Sequence, residues 1–254
     1  MKLLKAMAIA FSIYSKIPVP QFEWKEEDME YMMCFFPWIG GVIGLFFFGW
    51  AVLCKKFAVG NVCYALIGAA IPLMISGGFH VDGYMDTMDA FHSYQSREKK
   101  LEILKDSHIG AFAAIMLALY YMIDIAAISE IHTQKAVSAL AAVFFLARCF
   151  SGIAVMTLQP AKKEGLLYTF ASSAQKVRVK AALYFQAALC VVLMLLVSGW
   201  YGAAAIGAAL LSFFYFKKKS YKELGGITGD TAGFFVTVCE AAAAAAVAVA
   251  GYFL

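Results

Sequence analysis

Seven stretches of this chain are apolar enough to enter a bilayer, at residues 32–54, 62–79, 110–131, 136–158, 181–198, 201–216 and 232–254. A spanning helix needs about 20 predominantly apolar residues. The sequence is 63% hydrophobic and 15% charged, where a soluble domain has about 25% charged residues. A domain folded in water needs more polar surface than that composition supplies. The reading is an all-α, polytopic integral membrane bundle of about seven transmembrane helices. No fixed-period repeat or flexible linker divides it, so residues 1–254 form a single membrane domain.

The span at 62–79 holds Pro72 and ends in Gly77-Gly78, so it is expected to be kinked or broken. The basic residues orient the bundle. With a cytoplasmic N-terminus, the segments 1–31, 80–109, 159–180 and 217–231 share one side and carry 17 of the 21 Lys and Arg. The other side carries Lys55, Lys56 and Lys135, and Arg148 lies within a span. Basic loops resist translocation, so the rich side is the cytoplasmic one and the C-terminus falls opposite.

The first residues, Met1-Lys2-Leu3-Leu4-Lys5, precede a short apolar run followed by Lys16, Pro18 and Pro20. Without a small-residue cleavage site, 1–31 is read as a retained interfacial segment, its acids (Glu23, Glu26, Glu27, Asp28, Glu30) forming a solvated face. Cys34, Cys54, Cys63, Cys149, Cys190 and Cys239 show no metal-like spacing and read as small apolar residues. A net charge of +4, spread over several loops, points away from nucleic acid.

Chemistry concentrates in two places. Asp82, Asp86 and Asp89 stand at i, i+4 and i+7 in Gly77-Gly78-Phe79-His80-Val81-Asp82-Gly83-Tyr84-Met85-Asp86-Thr87-Met88-Asp89. On a helix they fall within about 60° of one another. Like charges on one face repel, and a hard cation such as Mg²⁺, which bridges carboxylates to substrate phosphates, removes the conflict. The bland alternative is a solvated acidic helix start. His80 and His92 flank the stripe, as substrate contacts or as polar surface. The second place is Gly225-Gly226-Ile227-Thr228-Gly229-Asp230, a loop opening a helix and presenting N–H groups to an anion. Asp230 either caps that helix or adds a metal ligand. On the same side, Lys105-Asp106-Ser107-His108-Ile109-Gly110 is either a phosphate contact or an interfacial turn. Within the spans, Glu240 is expected to pair with Arg148, and Asp124 to lie near enough the far edge to reach water.

These motifs resemble the cobalamin synthase family, the adenosylcobinamide-GDP ribazoletransferases. The likeness runs from Phe11–Pro20 and Phe36–Gly44 through His80–Asp89, Ile103-Leu104-Lys105-Asp106 and Ile109–Phe112. It continues at Arg148, at Glu164-Gly165-Leu166, and at Gly225–Asp230 with Gly233 and Glu240. Lys16 departs from an expected arginine, Ser107-His108 from Pro-Arg, and Ala90 and Ala232-Gly233-Phe234 from Gly and Leu-Gly-Ala. Neither lysine nor histidine copies the arginine fork.

The resemblance implies transfer of the cobinamide phosphate of adenosylcobinamide-GDP to α-ribazole or its 5′-phosphate, with release of GMP. It implies Mg²⁺ on Asp82, Asp86 and Asp89, and Asp230 as a fourth catalytic carboxylate. Substrate or phosphate contacts are implied at His80, Lys105, Asp106, Gly225, Gly226, Thr228 and Gly229. It implies a bacterial cytoplasmic (inner) membrane with the site facing the cytoplasm, corrinoid and nucleoside substrates, lipid contact, and room for a homo-oligomer or a complex with other corrinoid-pathway enzymes. The rival readings are another membrane Mg²⁺ transferase, CDP-alcohol phosphotransferase-like or prenyltransferase-like, and a transporter. The first lacks its downstream aspartate pair here, the second has no Thr228-Gly229-Asp230 partner motif, and the third favours midplane polar sites.

Overall fold

The computed structural model describes residues 2–20, 23–162, 167, 172 and 174–253. Their order is α1 Lys2–Tyr14, α2 Phe36–Phe57, α3 Asn61–Ser76, α4 Phe79–His92, α5 Arg97–Ile103, α6 Ala111–Ile128, α7 Gln134–Thr157, α8 Lys176–Ser198, α9 Trp200–Leu224 and α10 Gly229–Ala250. Among the described residues the only β pairing is an isolated bridge between Pro160 and Ile227.

Five helices, α2, α6, α7, α8 and α10, are long and apolar enough to cross a membrane, and α3 with α4 adds a sixth candidate. The seventh expected span lies in α9, whose 25 residues end in Lys217, Lys218, Lys219 and Lys222. The break expected in 62–79 falls at Gly77-Gly78, where φ is +67° and +85°, and α4 is turned 97° from α3. Pro72 is accommodated inside α3. We read α4 as lying across the end of the bundle, not as continuing the crossing.

The centre of the bundle is α7, packed on by α2, α8, α9 and α10. Gly40 and Gly44 of α2 bring its backbone onto the carbonyls of Phe144 and Ala141, the small-residue packing that bilayer helices use where no hydrophobic drive separates helix from lipid. The outward faces of α6 and α8 leave Ile115, Met122, Phe185, Leu193 and Leu196 exposed. Apolar surface on that scale needs a lipid or protein cover.

Hydrogen bonds sort the chain between two poles. At one, Asn61 Nδ2 donates to Ser129 O at 3.1 Å, Tyr64 Oη to Ile131 O at 2.5 Å and Tyr252 Oη to Glu130 Oε2 at 2.9 Å. At the other, Lys162 Nζ donates to Leu101 O at 2.8 Å, Lys100 pairs with Glu223, and Ala161 N donates to Ile227 O at 2.8 Å. The expected segments 80–109 and 217–231 therefore meet at one end. The segment 1–31 joins it through α1, whose Lys5 binds Asp28 at 3.2 Å. Part of its acidic face is thus spent on holding α1.

Inside the bundle, Arg148 Nη1 binds Glu240 Oε1 at 2.7 Å and Phe144 O at 2.8 Å, the expected pair. Asp124 departs from expectation. It is 6% exposed, because its side of α6 turns toward α10 instead of the far edge. The cysteines are free, and Cys54, Cys149, Cys190 and Cys239 are buried.

Candidate active site at the α4–α10 junction

Two glycines bring the motifs together. An added Cβ on Gly83 would lie 2.9 Å from both Cα and O of Asp230, and one on Gly233 would lie 3.1 Å from His80 O. The first turn of α10 thus lies backbone to backbone on α4, beside Asp82. A cavity of ≈ 510 Å³ opens there, lined by Asp82, Lys105, Lys162, Thr228, Gly229 and Asp230 on its polar side and by Tyr14, Phe36, Phe79 and Val155 on its apolar side.

The helix start at Thr228 follows from a capping box. Thr228 Oγ1 accepts from Thr231 N at 3.2 Å, and Thr231 Oγ1 accepts from Thr228 N at 2.8 Å. Capping belongs to Thr228, so Asp230 does not cap. Its carboxylate takes a hydrogen bond from Thr228 Oγ1 at 3.3 Å and lines the cavity. Gly225 and Gly226 build the approach. Gly225 turns at φ +72° against the Arg97 guanidinium, and Gly226 packs on Gln159 and Ala161. Ile227, Thr228, Gly229 and Asp230 reach the cavity wall, while Gly225 and Gly226 stay behind it.

The aspartate stripe divides by environment. Asp82 lines the cavity. Burial, and then the charges of Asp82, Asp230 and Asp89, push the Asp86 carboxyl up to about 7. Asp89 is occupied: Oδ2 accepts from Gly110 N at 2.7 Å and Oδ1 from Ala113 N at 2.8 Å, which caps α6. Among the described residues no three His, Cys, Asp or Glu side chains form a ready-made metal cage. The donor set still fits Mg²⁺, an oxygen-seeking ion that keeps waters and uses one or two carboxylates with substrate phosphates. A carboxyl raised by burial and by three neighbouring acids is a group that a cation would relieve.

His80 is 5% exposed, ringed by Tyr14, Phe36 and Phe79, and its Nε2 has no hydrogen-bond partner among the described residues. Burial, and then Arg148, hold its pKa well below the usual imidazole range, so it is neutral. His92 instead spends Nδ1 on Met88 O and stacks on Phe112. Asp106 is taken up in a turn, accepting from His108 N at 3.0 Å and contacting its Nδ1 at 2.6 Å. It lies off the cavity wall that Lys105 lines. Glu164-Gly165-Leu166 lies outside the described residues.

Sequence reasoning missed Tyr14, Ser151 and Lys162 as cavity residues. Lys162 was visible only as one basic residue among many, and nothing in the spacing tied it to Asp230.

The cobalamin-5-phosphate synthase family model matches residues 6–248. The chain belongs to that family. It is 44% identical to the adenosylcobinamide-GDP ribazoletransferase of Lachnoclostridium phytofermentans over 98% of this chain and 95% of that one. It is 31% identical to the enzyme of that name from Clostridium botulinum over 94% of each. No solved structure matches the chain. In this member of the cobalamin-5-phosphate synthase family the two acidic motifs, far apart in sequence, bound one cavity.

Proposed function

We propose that the protein transfers the cobinamide phosphate of adenosylcobinamide-GDP to α-ribazole or α-ribazole 5′-phosphate, releasing GMP. The observation that carries this reading is the convergence of Asp82 and Asp230 with Lys105 and Lys162 around one cavity. Phosphoryl transfer asks mainly for positioning and for neutralisation of charge, and this wall offers both.

Asp82 and Asp86 are the principal oxygen donors for Mg²⁺. Asp89 adds the lone pairs left over from its two backbone hydrogen bonds, and Asp230 stands across the junction. When bound, Mg²⁺ supplies neutralisation of the pyrophosphate and of the departing phosphate. Lys105, Lys162 and the first N–H groups of α10, next to Thr228 and Gly229, bind phosphate oxygens. Asp230 orients the attacking ribose hydroxyl and takes its proton. The hydroxyl oxygen forms the new bond to the cobinamide-linked phosphorus, and the bond to GMP breaks with its electron pair leaving on GMP. Neutral His80, its Nε2 unpaired among the described residues, holds a polar group of the substrate. The apolar wall of Tyr14, Phe36 and Phe79 excludes water, which would otherwise compete as acceptor.

The basic pole carries the site, so we place it on the cytoplasmic face of the bacterial inner membrane. The test is GMP release by the detergent-purified protein with adenosylcobinamide-GDP, α-ribazole 5′-phosphate and Mg²⁺, with and without EDTA. Metal-dependent GMP with a matching corrinoid product supports the reading. Silence from folded protein, in lipid as in detergent and with unphosphorylated α-ribazole, refutes it.

A further inference from the structure

A second cavity of ≈ 530 Å³ adjoins the first, and the two share Phe79 and Asp82 as walls. It holds Lys16, Gly77 and Gly78 beside a largely apolar floor of Leu73, Met85, Leu117 and Tyr121. Lys16 is fixed in place: its N donates to Ile75 O at 2.8 Å, and its aliphatic stem lies against Gly77, where a Cβ would meet its Cγ at 2.7 Å. Among the described residues no carboxylate lies within ion-pair distance of its ammonium. Beside it is the start of α4, where Gly78 provides no side-chain cap, so the first N–H groups of that helix lack an intrahelical acceptor.

A reaction between two large substrates needs two compartments that meet at the reacting atoms, and these two meet at Asp82. The first has lysines on two sides and suits a pyrophosphate. The second has one cation and an α4 N-terminus beside an apolar floor. We infer that the second compartment takes the acceptor, an anionic nucleotide with an apolar fused aromatic base, and that Lys16 binds its phosphate. This rests on the transfer proposed above, and it makes Lys16 the residue that separates α-ribazole 5′-phosphate from α-ribazole.

The experiment is acceptor kinetics at saturating adenosylcobinamide-GDP and donor kinetics at saturating acceptor, in detergent without added phospholipid, for the unaltered protein, Lys16→Met, Lys16→Arg and Leu117→Trp. Methionine keeps a stem on Gly77 and removes the charge. Lys16→Met is expected to lower kcat/KM for the phosphorylated acceptor by about tenfold or more, the usual scale for a lost charge-assisted hydrogen bond. The preference over the unphosphorylated acceptor then collapses toward one, and Lys16→Arg restores it. Leu117→Trp, which narrows the floor, is expected to raise the acceptor KM and leave the donor KM in place. An unchanged preference in Lys16→Met, or a rise in donor KM in either variant, overturns the assignment. Absence of GMP formation by the unaltered protein is a different result, and it sinks the transfer reaction itself.

Discussion

The Cα of Asp230 lies 2.9 Å from the point where a side chain on Gly83 would begin. This contact joins helices whose sequences are far apart, and it sets the distance between the carboxylates of Asp82 and Asp230. Gly83→Ala must separate α4 from α10. Overpacking of this kind costs about 1–3 kcal/mol, and a displacement near 1 Å at a reacting centre costs roughly a hundredfold in rate. The expected result is a lower thermal midpoint in detergent together with at least a tenfold loss of GMP release. Gly229→Ala is the control, since a Cβ there meets nothing within 4 Å, and it should unfold with the unaltered protein. Normal activity in Gly83→Ala would remove the junction from the account.

Asp86 should make the stability of the protein depend on pH. In the folded protein Asp86 ionises near 7 against an ordinary 3.8. Between those values the folded chain holds a proton that the unfolded chain has released, so its contribution is full at acid pH and lost as pH rises from about 4 through 7. Metal-free protein should therefore melt at a lower temperature at pH 7.5 than at pH 5.5. Millimolar Mg²⁺ should recover the loss at pH 7.5, and Asp86→Asn should flatten the profile. Asp82→Asn should lower turnover by a hundredfold or more with its melting temperature unchanged or raised, because it removes one like charge from the cluster.

The helices, the broken span and the basic pole were legible because each rests on a local property: length of an apolar run, a Gly-Gly pair, the placement of lysines. The pairing of the two acidic motifs was legible only as a shared side of the membrane. Their contact depends on Gly83 and Gly233 meeting across helices, which no single-chain spacing encodes. Lys162 and Tyr14 escaped for the same reason, being brought to the cavity by the packing of the 159–162 stretch and of α1. Asp124 was misplaced because counting residues to the membrane edge gives depth along α6 but not the direction in which its side chain faces. Capping was open to Asp230 in the sequence, but the cap is Thr228, because Thr228 holds the extended residue before Gly229 while Asp230 already lies inside the first turn of α10.

Asp89 tests whether the stripe is one functional unit. Its two hydrogen bonds to Gly110 and Ala113 fix the start of α6 and, through it, the turn that carries Lys105. Losing such a cap costs about 1 kcal/mol. Asp89→Asn keeps an acceptor oxygen and should retain more activity than Asp82→Asn, while Asp89→Ala should lose both stability and affinity for the donor. Steady-state kinetics of the three variants beside their melting curves decide it. Equal, hundredfold losses in Asp89→Asn and Asp82→Asn, with unchanged melting, would make Asp89 a metal ligand first and a cap second.

The Arg148–Glu240 pair, 1% and 6% exposed, is the remaining place where a single substitution should have a large effect. Taking one partner away leaves a buried charge uncompensated, at about 3–5 kcal/mol, whereas replacing both with apolar residues of similar volume is close to neutral. Arg148→Met and Glu240→Leu should each lower the thermal midpoint sharply, and the double variant should recover most of the loss. His80 adds a functional reading to the same series. The Arg148 charge helps to hold its imidazole neutral, so the double variant, though stable, should show an acid limb of kcat/KM displaced toward higher pH. Recovery of stability with an unshifted acid limb would leave the pair a purely structural tie between α7 and α10.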